Sequence, residues 1–511
     1  SFQLAIPLSA ASWKLTPRET PIFLRINEMK TSRRNFMVAA AGGSLGAWAV
    51  NAGAGYATVK GDGGGSVVVI PERKVPVLAE VDVLVCGGGT AGITAACSAA
   101  RHGAKVVLIE RWPCVGGMAT AALVNGWHRS DREKVVINGL VEEAAERARK
   151  RGWIQQVANF PKAFETHWFD PEGMKVVYQD MLDESGVRTF CYTVAGEPIV
   201  EAGQVRGVVV DAKEGQRAFL ARIVIDATGD GDVAAKAGLP FEYGRAEDGL
   251  VQGMTMMFRL HGVEPAAVRA HPEEAERVFG RMKKLRDEGQ FPQFLEAAAR
   301  HYLRSPQPPD VSYNMCPAAG NPLHEEELTR LTAQARRQVH QYVELWRKEM
   351  PGFSQATVAQ TGFSLGIRES RRIRGLKTLD GQMVVQAVKQ PDAIGHGVWM
   401  IDIHDPKGSG HTTWADHKPE TMVPVGQSYH IPLGMCLNAT MPNLAVVGRC
   451  ASSTHEGHSS VRVQTHCMVM GQGVGTCAAL ALADGVSMAQ VEIGELQSTL
   501  RQDGVYLEDV P

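Results

Sequence analysis

The chain predicts an α/β fold: a parallel sheet with helices packed on it, a small antiparallel sheet attached, and an α+β domain inserted between two halves. Three observations carry this. A glycine-rich turn, Gly87-Gly88-Gly89-Thr90-Ala91-Gly92, follows one apolar run and leads through a helical stretch to another, all between Val81 and Glu110. Apolar runs followed at once by glycine return far downstream, within Ala221–Gly238 and Asn443–Gly485. Between those blocks the glycine pattern fades. A sheet built from both ends of the chain, with a separate segment between, suits 511 residues, more than one core usually holds.

Composition narrows the function. Hydrophobic content of 44% and charged content of 21% fit a soluble globular protein. With 53 basic and 55 acidic residues, no global field gathers nucleic acid or anionic lipid, so no nucleic-acid partner is expected. The cysteines are scattered without a CxxC pair, which argues against a zinc site and against a disulfide-reductase centre at Cys114.

Near the start, Ser32-Arg33-Arg34-Asn35-Phe36-Met37 precedes an apolar stretch to Val50 and the small residues Ala52-Gly53-Ala54. This resembles the bacterial twin-arginine export signal. The expectation is a leader over 1–57, with Met29 as the start and Ser1–Glu28 upstream of it. A mature chain would begin near Gly55, carry a flexible Gly61–Ser66 link, and be periplasmic or otherwise exported. The apolar stretch is too short and glycine-rich for a stable membrane span, so none is expected after signal removal.

Val81–Cys86 is apolar except for Asp82, as in a strand buried on both faces. Ala91–His102 reads as a helix stopped by Gly103, Lys105–Ile109 as the next strand, and Glu110 sits at its end. Gly87 permits the tight turn, Gly89 lets a pyrophosphate approach the backbone, and Gly92 lets the helix pack on the strand. The helix start at Thr90 and Ala91 offers N–H groups and a positive dipole end to phosphates. Glu110, followed by Arg111, is placed for ribose hydroxyls. The ligand of such a unit is a dinucleotide, FAD or NAD.

Three features favour FAD. Gly116-Gly117-Met118-Ala119-Thr120 lets the chain double back along an extended cofactor. The strand in Ala221–Gly238 ends in Ala227-Thr228-Gly229-Asp230, a third glycine turn at the same sheet edge. The strand after Asn443 ends at Gly448-Arg449 and leads to a small-residue helix over Ser459–Ala479. Its first N–H groups, at Ser460 and Val461, are expected to face the pyrimidine edge of the flavin. The domain plan is therefore 58–239 and 432–511 for the FAD-binding domain, with 240–431 as a substrate or cap domain. No second GxGxxG with its own acid suggests a nicotinamide domain.

Together, VDVLVCGGGTAGITAACSAARHGAKVVLIE, GGMAT, VIDATGDGDVAAKAG, FSLGIRESRRIRG and YHIPLGMCLNATMPNLAVVGRCASSTHEGHSSVRV resemble the FAD-dependent oxidoreductases related to the fumarate reductase and succinate dehydrogenase flavoproteins. The resemblance implies a Rossmann-like FAD-binding domain of the glutathione-reductase type and an FAD oxidoreductase. It leaves the substrate open. Some such relatives attach FAD through a histidine in the region of His128, but the local sequence here does not match theirs.

Elsewhere, Val135–Arg151 and Asp170–Ser185 read as helices, the latter with Pro171 in its first turn. Val187–Cys191, Gly196–Val200 and Gln204–Val210 read as a small antiparallel sheet leading into Ile223–Ala227. Met254, Met256 and Met257 in Val251–Leu260 are read as core, with a cavity lining as the alternative. His324–Glu349 is a long polar helix, and Ser364–Gly375 and Val398–Ile403 read as strands.

For catalysis, His455 and His458 in a loop before the last helix are candidates to move a proton beside the flavin. On a strand, Arg368 and Arg372 would share a face with Arg374, opposite Arg371, and suit a carboxylate substrate or the reduced flavin. Tyr429 and His430 are candidates for the cavity border. No third ligand joins His455 and His458, so no metal is expected. The expected reaction is hydride transfer between an unidentified small organic substrate and FAD, with an unknown electron acceptor or donor. A fumarate-reductase-like flavoprotein fed by an external donor, and a non-catalytic flavin binder, are the alternatives.

Overall fold

The computed structural model describes residues 57–60, 66–70, 72–157, 166–299, 310–409, 413, 418–507 and 510. The twin-arginine stretch and Gly61–Gly65 lie outside the described residues. The chain divides into two units, Ser1–Arg73 and Lys74–Pro511. In the first, Ala57–Lys60 pairs antiparallel with Ser66–Val69.

The second unit is organised by a seven-stranded sheet. Its strands are β1 (Val77–Cys86), β2 (Val106–Ile109), β3 (Arg188–Phe190), β4 (Val194–Glu201), β5 (Gln204–Ala212), β6 (Gly215–Asp226) and β10 (Leu444–Val446). The order is β3-β2-β1-β6-β5-β4, with β10 also on β6. β6 joins two kinds of sheet. Its first half pairs antiparallel with β5, and its second half lies parallel between β1 and β10, with Val224 opposite Leu84 and Leu444.

β3 is a correction to the sequence reading. It belongs to the parallel sheet, beside β2, and not to the antiparallel meander. The helix before it, α2 (Pro171–Glu184), is the crossover, and a strand returning through a helix joins in parallel. Asp170 caps α2 by accepting from the N–H groups of Glu172 and Gly173, with Pro171 at the first position.

α1 (Thr90–Arg101) follows β1 and packs along α5 (Gln464–Asp484). The contact is backbone to backbone. A Cβ on Gly471 would lie 2.1 Å from the carbonyl oxygen of Ala91, and one on Gly475 would lie 2.3 Å from that of Ala95. Thr94 Oγ1 donates to the Met468 carbonyl at 2.8 Å, and the Ser98 and Thr476 hydroxyls meet at 2.7 Å. α5 is long and apolar enough to cross a membrane by composition, but it lies buried in this core.

A second apolar cluster runs from Met254 to Ile367. β7 (Met254–His261) lies between β8 (Val311–Ala318) and β9 (Thr357–Thr361), covered by α3 (Glu325–Glu349), with Phe258, Tyr313 and Trp346 buried at the centre. Met254 and Met256 belong to this cluster and Met257 is buried as well. Leu379, Val384, Ala393, Ile394, Tyr429 and Ile431 pack with the main core instead.

Two expected strands shrink or move. Within Ser364–Gly375 only Arg371–Ile373 is strand, and Val398–Ile403 is not one; Ala393–Gly397 before it pairs with Tyr429–Pro432. In Val398–Ile403 backbone N–H groups go to side chains of other elements instead of a strand partner: Val398 donates to His466 Nε2 at 3.0 Å and Asp402 to Ser459 Oγ at 3.1 Å.

Candidate active site

The carboxyl ends of all five parallel strands open on one cleft, the position that open α/β sheets use for ligands. Gly87, Gly89, Thr90 and Ala91 line it after β1, and Glu110, Arg111, Trp112, Gly117 and Met118 after β2. Thr193 follows β3, Thr228 and Gly229 follow β6, and Gly448 and Arg449 follow β10. Arg462, Gln464 and Cys467 close it from the far end of the chain.

The lining fits a dinucleotide. Gly89 caps α1 with an extended backbone and no side-chain cap, and the first turn of α1 holds no acid, so its N–H groups stay available to an anion. A Cβ on Gly89 would meet nothing nearer than Gly117 Cα at 4.0 Å, so both glycines form a bare floor. Glu110 is buried and fixed by the N–H of Gly88 at 2.6 Å and of Trp112 at 2.8 Å. Burial pushes its carboxyl above the usual range.

Other expected contacts stand one layer back. A Cβ on Gly92 would lie 1.9 Å from the Gly87 carbonyl oxygen, so this glycine serves packing of helix on turn. Gly116, Ala119, Thr120 and Asp230 do not line the cleft. Thr120 donates to the Val115 carbonyl at 2.9 Å. Asp230 accepts from Ser370 at 2.7 Å and from Arg449 at 2.9 Å. Against the upward push of burial, Arg449 and Arg111 hold its carboxyl below the usual range. It therefore anchors two arginines that do reach the cleft.

Ser460 and Val461 require correction. They lie in the last turn of α4 (His455–Val461), a separate helix, where their N–H groups are inside the helical ladder. Ser460 Oγ meets the Tyr429 hydroxyl at 2.8 Å. The chain breaks at Arg462 and Val463, and α5 starts at Gln464 without a side-chain cap. The helix end at the cleft is thus that of α5, beside Gln464 and Cys467.

His455 and His458 are helical, not in a loop, and both are buried. Glu369, with no exposed surface, accepts from His455 Nδ1 at 3.0 Å, from the Gln252 N–H at 2.9 Å and from Arg372 Nη1. Among the described residues His455 Nε2 has no hydrogen-bond partner. His458 Nδ1 meets Gln252 Nε2 at 3.3 Å, and its Nε2 is likewise unpartnered. Burial, then the charges of Arg372 and Arg462, keep His458 far below the ordinary histidine range, so it is neutral.

The arginine block separates. Arg372 is consumed internally, by Glu369, the Ser453 carbonyl at 2.9 Å and the Gly244 carbonyl at 2.8 Å. Arg374 is exposed, and so does not share a buried face with Arg372. Arg368 is buried and reaches the first strands of the second cluster, with Nη1 on the Gly253 carbonyl at 2.7 Å and Thr255 Oγ1 at 2.6 Å.

Two residues missed in the sequence reading join it. Asp402 and His404 are buried on an irregular loop, 3.4 Å apart, and Arg462 donates to the Asp402 carbonyl at 3.0 Å. Burial and then Arg368 push His404 down to about 4. His404, Asp402 and Arg462 each keep a buried polar atom without a hydrogen-bond partner. The sequence does hold a trace of this pair, the alternating acid and histidine of Asp402-Ile403-His404-Asp405.

The remaining candidates are structural. Tyr429 is buried in the main core, and the Gln390 N–H donates to His430 Nδ1 at 3.0 Å. The His128 ring stacks on Trp399 with centroids 4.0 Å apart. Cys114 is half-buried and forms no disulfide.

Fold and cleft define a flavin-type dinucleotide-binding α/β protein. The model of the family described as FAD dependent oxidoreductase matches residues 82–500, and the chain belongs to that family. FAD is accordingly its cofactor. The chain is also similar to fumarate reductase (cytochrome) of Shewanella frigidimarina, 57% identical over 42 residues, which cover 8% of this chain and 7% of that protein. Among solved structures, a geranylgeranyl bacteriochlorophyll reductase-like protein of Thermoplasma acidophilum aligns at TM-score 0.43 and 14% identity, over 83% of this chain and 84% of the other. The p-nitrophenol 4-monooxygenase of Pseudomonas putida aligns at TM-score 0.43 and 10% identity, over 85% and 87%.

Proposed function

We propose that this FAD oxidoreductase exchanges a hydride between a small organic substrate and the flavin, with His455 moving the accompanying proton. FAD, when bound, supplies the hydride acceptor or donor. The observation that carries the reading is the buried Glu369–His455 pair. The carboxylate fixes the Nδ1–H tautomer, leaving Nε2 as a base with no other partner. Arg462, which lines the cleft and contacts Asp402, lies seven residues after His455, just past the end of α4. Arg449, Arg462 and the start of α5 at Gln464 bring positive charge and N–H groups to the cleft.

The test is anaerobic. The purified protein is scanned for flavin, and candidate reductants and oxidants are added while the flavin band is followed. His455→Gln is expected to keep its FAD and lose about 100- to 10,000-fold in the rate of substrate-driven bleaching. A flavin that no small molecule reduces or reoxidises supports a non-catalytic binder instead. Export belongs to the same proposal, supported by Ser32–Met37. Lysine at both Arg33 and Arg34 is expected to leave the protein uncleaved in the cytoplasm, and unaltered fractionation would count against export.

A further inference from the structure

The loops after β2 and β6 are tied to each other across the end of β1. In the sheet, β1 lies between β2 and β6. Arg111 stands two residues past the end of β2, and Asp230 four residues past the end of β6. Arg111 Nη2 lies 4.0 Å from Asp230 Oδ2. The pair therefore bridges two strand spacings, about 10 Å, and spans the carboxyl end of β1. That end opens into Gly87 and Gly89 of the cleft, where a diphosphate approaches the start of α1.

The two partners differ in freedom. Asp230 is fixed. Its Oδ1 accepts from Ser370 at 2.7 Å and from Arg449 at 2.9 Å, and its backbone carbonyl accepts from Arg371 at 3.0 Å. It is buried and does not line the cleft. Arg111 does line the cleft, and its side chain is 39% exposed. At 4.0 Å the contact is an ion pair too long for a hydrogen bond, so it opens at low cost. The Arg111 guanidinium also lies 5.1 Å from the centre of the Trp112 ring, against which Phe363 packs edge-on.

Arg449, the other guanidinium on Asp230, lacks this freedom. Its side chain is 11% exposed and lies over Gly229, where a Cβ would stand 2.7 Å from its Nη2. Of the two arginines that share Asp230, the one placed to move is Arg111.

We propose that Arg111 and Asp230 form a strap across the cofactor cleft, which must open for FAD to enter or leave. This rests on FAD as the cofactor and is independent of the reaction assigned above. A strap acts on rates: it slows entry and release alike and leaves affinity unchanged. A residue that only held the diphosphate would slow release alone and raise affinity.

The experiment uses the holoenzyme. Exchange of bound FAD against an excess of radiolabelled FAD gives the release rate, and free FAD after dilution and ultrafiltration gives the dissociation constant. Arg111→Gln should exchange about fivefold faster, with a dissociation constant within about twofold of wild type. Arg111→Lys, which keeps the charge, should recover part of the slow exchange. Asp230→Asn should also exchange faster, and the double variant should be no faster than the faster single one, because both remove the same pair. A dissociation constant that weakens in step with exchange would make Arg111 a plain cofactor contact and overturn the strap. Slower exchange in Asp230→Asn, where Arg111 is released to hold the diphosphate, would overturn it as well. So would unchanged exchange in Arg111→Gln, additive effects in the double variant, or FAD that leaves neither wild type nor variant. Arg111 is exposed enough that Arg111→Gln decides the question alone if Asp230→Asn does not fold.

Discussion

A methyl group added at Gly89 separates folding from cofactor binding. Gly89 has φ −70° and ψ 176°, which alanine adopts without strain, and its Cβ would meet no atom nearer than Gly117 Cα at 4.0 Å. The substitution should cost the apoprotein less than about 0.5 kcal/mol. The new methyl stands over the bare floor of the cleft, where a pyrophosphate must approach the start of α1. Losing one charge-assisted hydrogen bond there costs about 1.5–3 kcal/mol, which weakens FAD binding about 10- to 150-fold. Gly92→Ala is the contrast. Its Cβ would lie 1.9 Å from the Gly87 carbonyl oxygen, so the turn or the helix must shift. Such overpacking costs about 1–3 kcal/mol, set against about 1 kcal/mol gained in helix propensity. The assays are thermal melts of both apoproteins and fluorescence titration with FAD. Gly89→Ala with normal FAD affinity, or with a melting point as low as that of Gly92→Ala, would refute the reasoning.

Glu369→Gln leaves the buried Arg372 charge only the longer contact to the more exposed Glu242 at 3.7 Å, and should cost about 3 kcal/mol in urea unfolding; a loss below about 1 kcal/mol contradicts the arrangement. Ser460→Ala should cost about 1 kcal/mol through its lost bond to Tyr429 yet leave FAD affinity unchanged, and weaker FAD binding would restore a role for Ser460 at the flavin. His404 sets a pH dependence. Its folded value of about 4 lies below the unfolded 6.5, so its contribution is full above about 6.5 and is lost as pH falls toward 4, because the unfolded chain takes up the proton first. The shift corresponds to about 3 kcal/mol. The stability of wild type relative to His404→Gln should therefore fall by up to that amount between pH 7 and pH 4. Parallel pH curves for the two proteins would show that His404 is not held neutral.

The strand and glycine blocks were legible because their signals are local. Val81–Cys86 is apolar enough for a strand buried on both faces, and Gly87, Gly89 and Gly92 answer to backbone contacts within one turn of chain. The place of β3 was not legible, because three residues of strand give no sign of which neighbour they pair with. Its parallel register follows from the crossover α2, a long-range fact. The split between α4 and α5 was hidden for another reason. The glycines of His455 to Asp484, Gly457, Gly471, Gly473 and Gly475, all lie inside the two helices, and the break at Arg462-Val463 carries neither glycine nor proline. What stops the helix there is tertiary: Arg462 turns out to Asp402, and Ser460 is tied to Tyr429.

The same reasoning explains which arginine matters. In Gly366-Ile367-Arg368-Glu369-Ser370-Arg371-Arg372-Ile373-Arg374, four arginines surround the single glutamate Glu369, so the spacing alone does not say which of them it pairs with. The fold breaks that equivalence. Only Arg371–Ile373 extends as strand, which turns Arg374 outward to Glu242 and ties Arg371 to Asp232. Arg372 lies within reach of Glu369, three residues back, leaving Arg368 directed to neutral acceptors on β7 and β8. Glu369 is turned to Arg372, His455 and the Gln252 N–H, and Arg368 donates elsewhere. Arg368 thus sits on neutral acceptors while Glu369 serves its other neighbours, and an acid placed beside it tests the reach of its charge. Thr255→Asp would place a carboxylate on the side chain that Arg368 Nη1 now contacts at 2.6 Å. It should cost less in urea unfolding than the same substitution in Arg368→Gln, where the new carboxylate is buried without its cation and loses about 3–5 kcal/mol; equal losses in the two backgrounds would show that the charge on Arg368 does not act at residue 255.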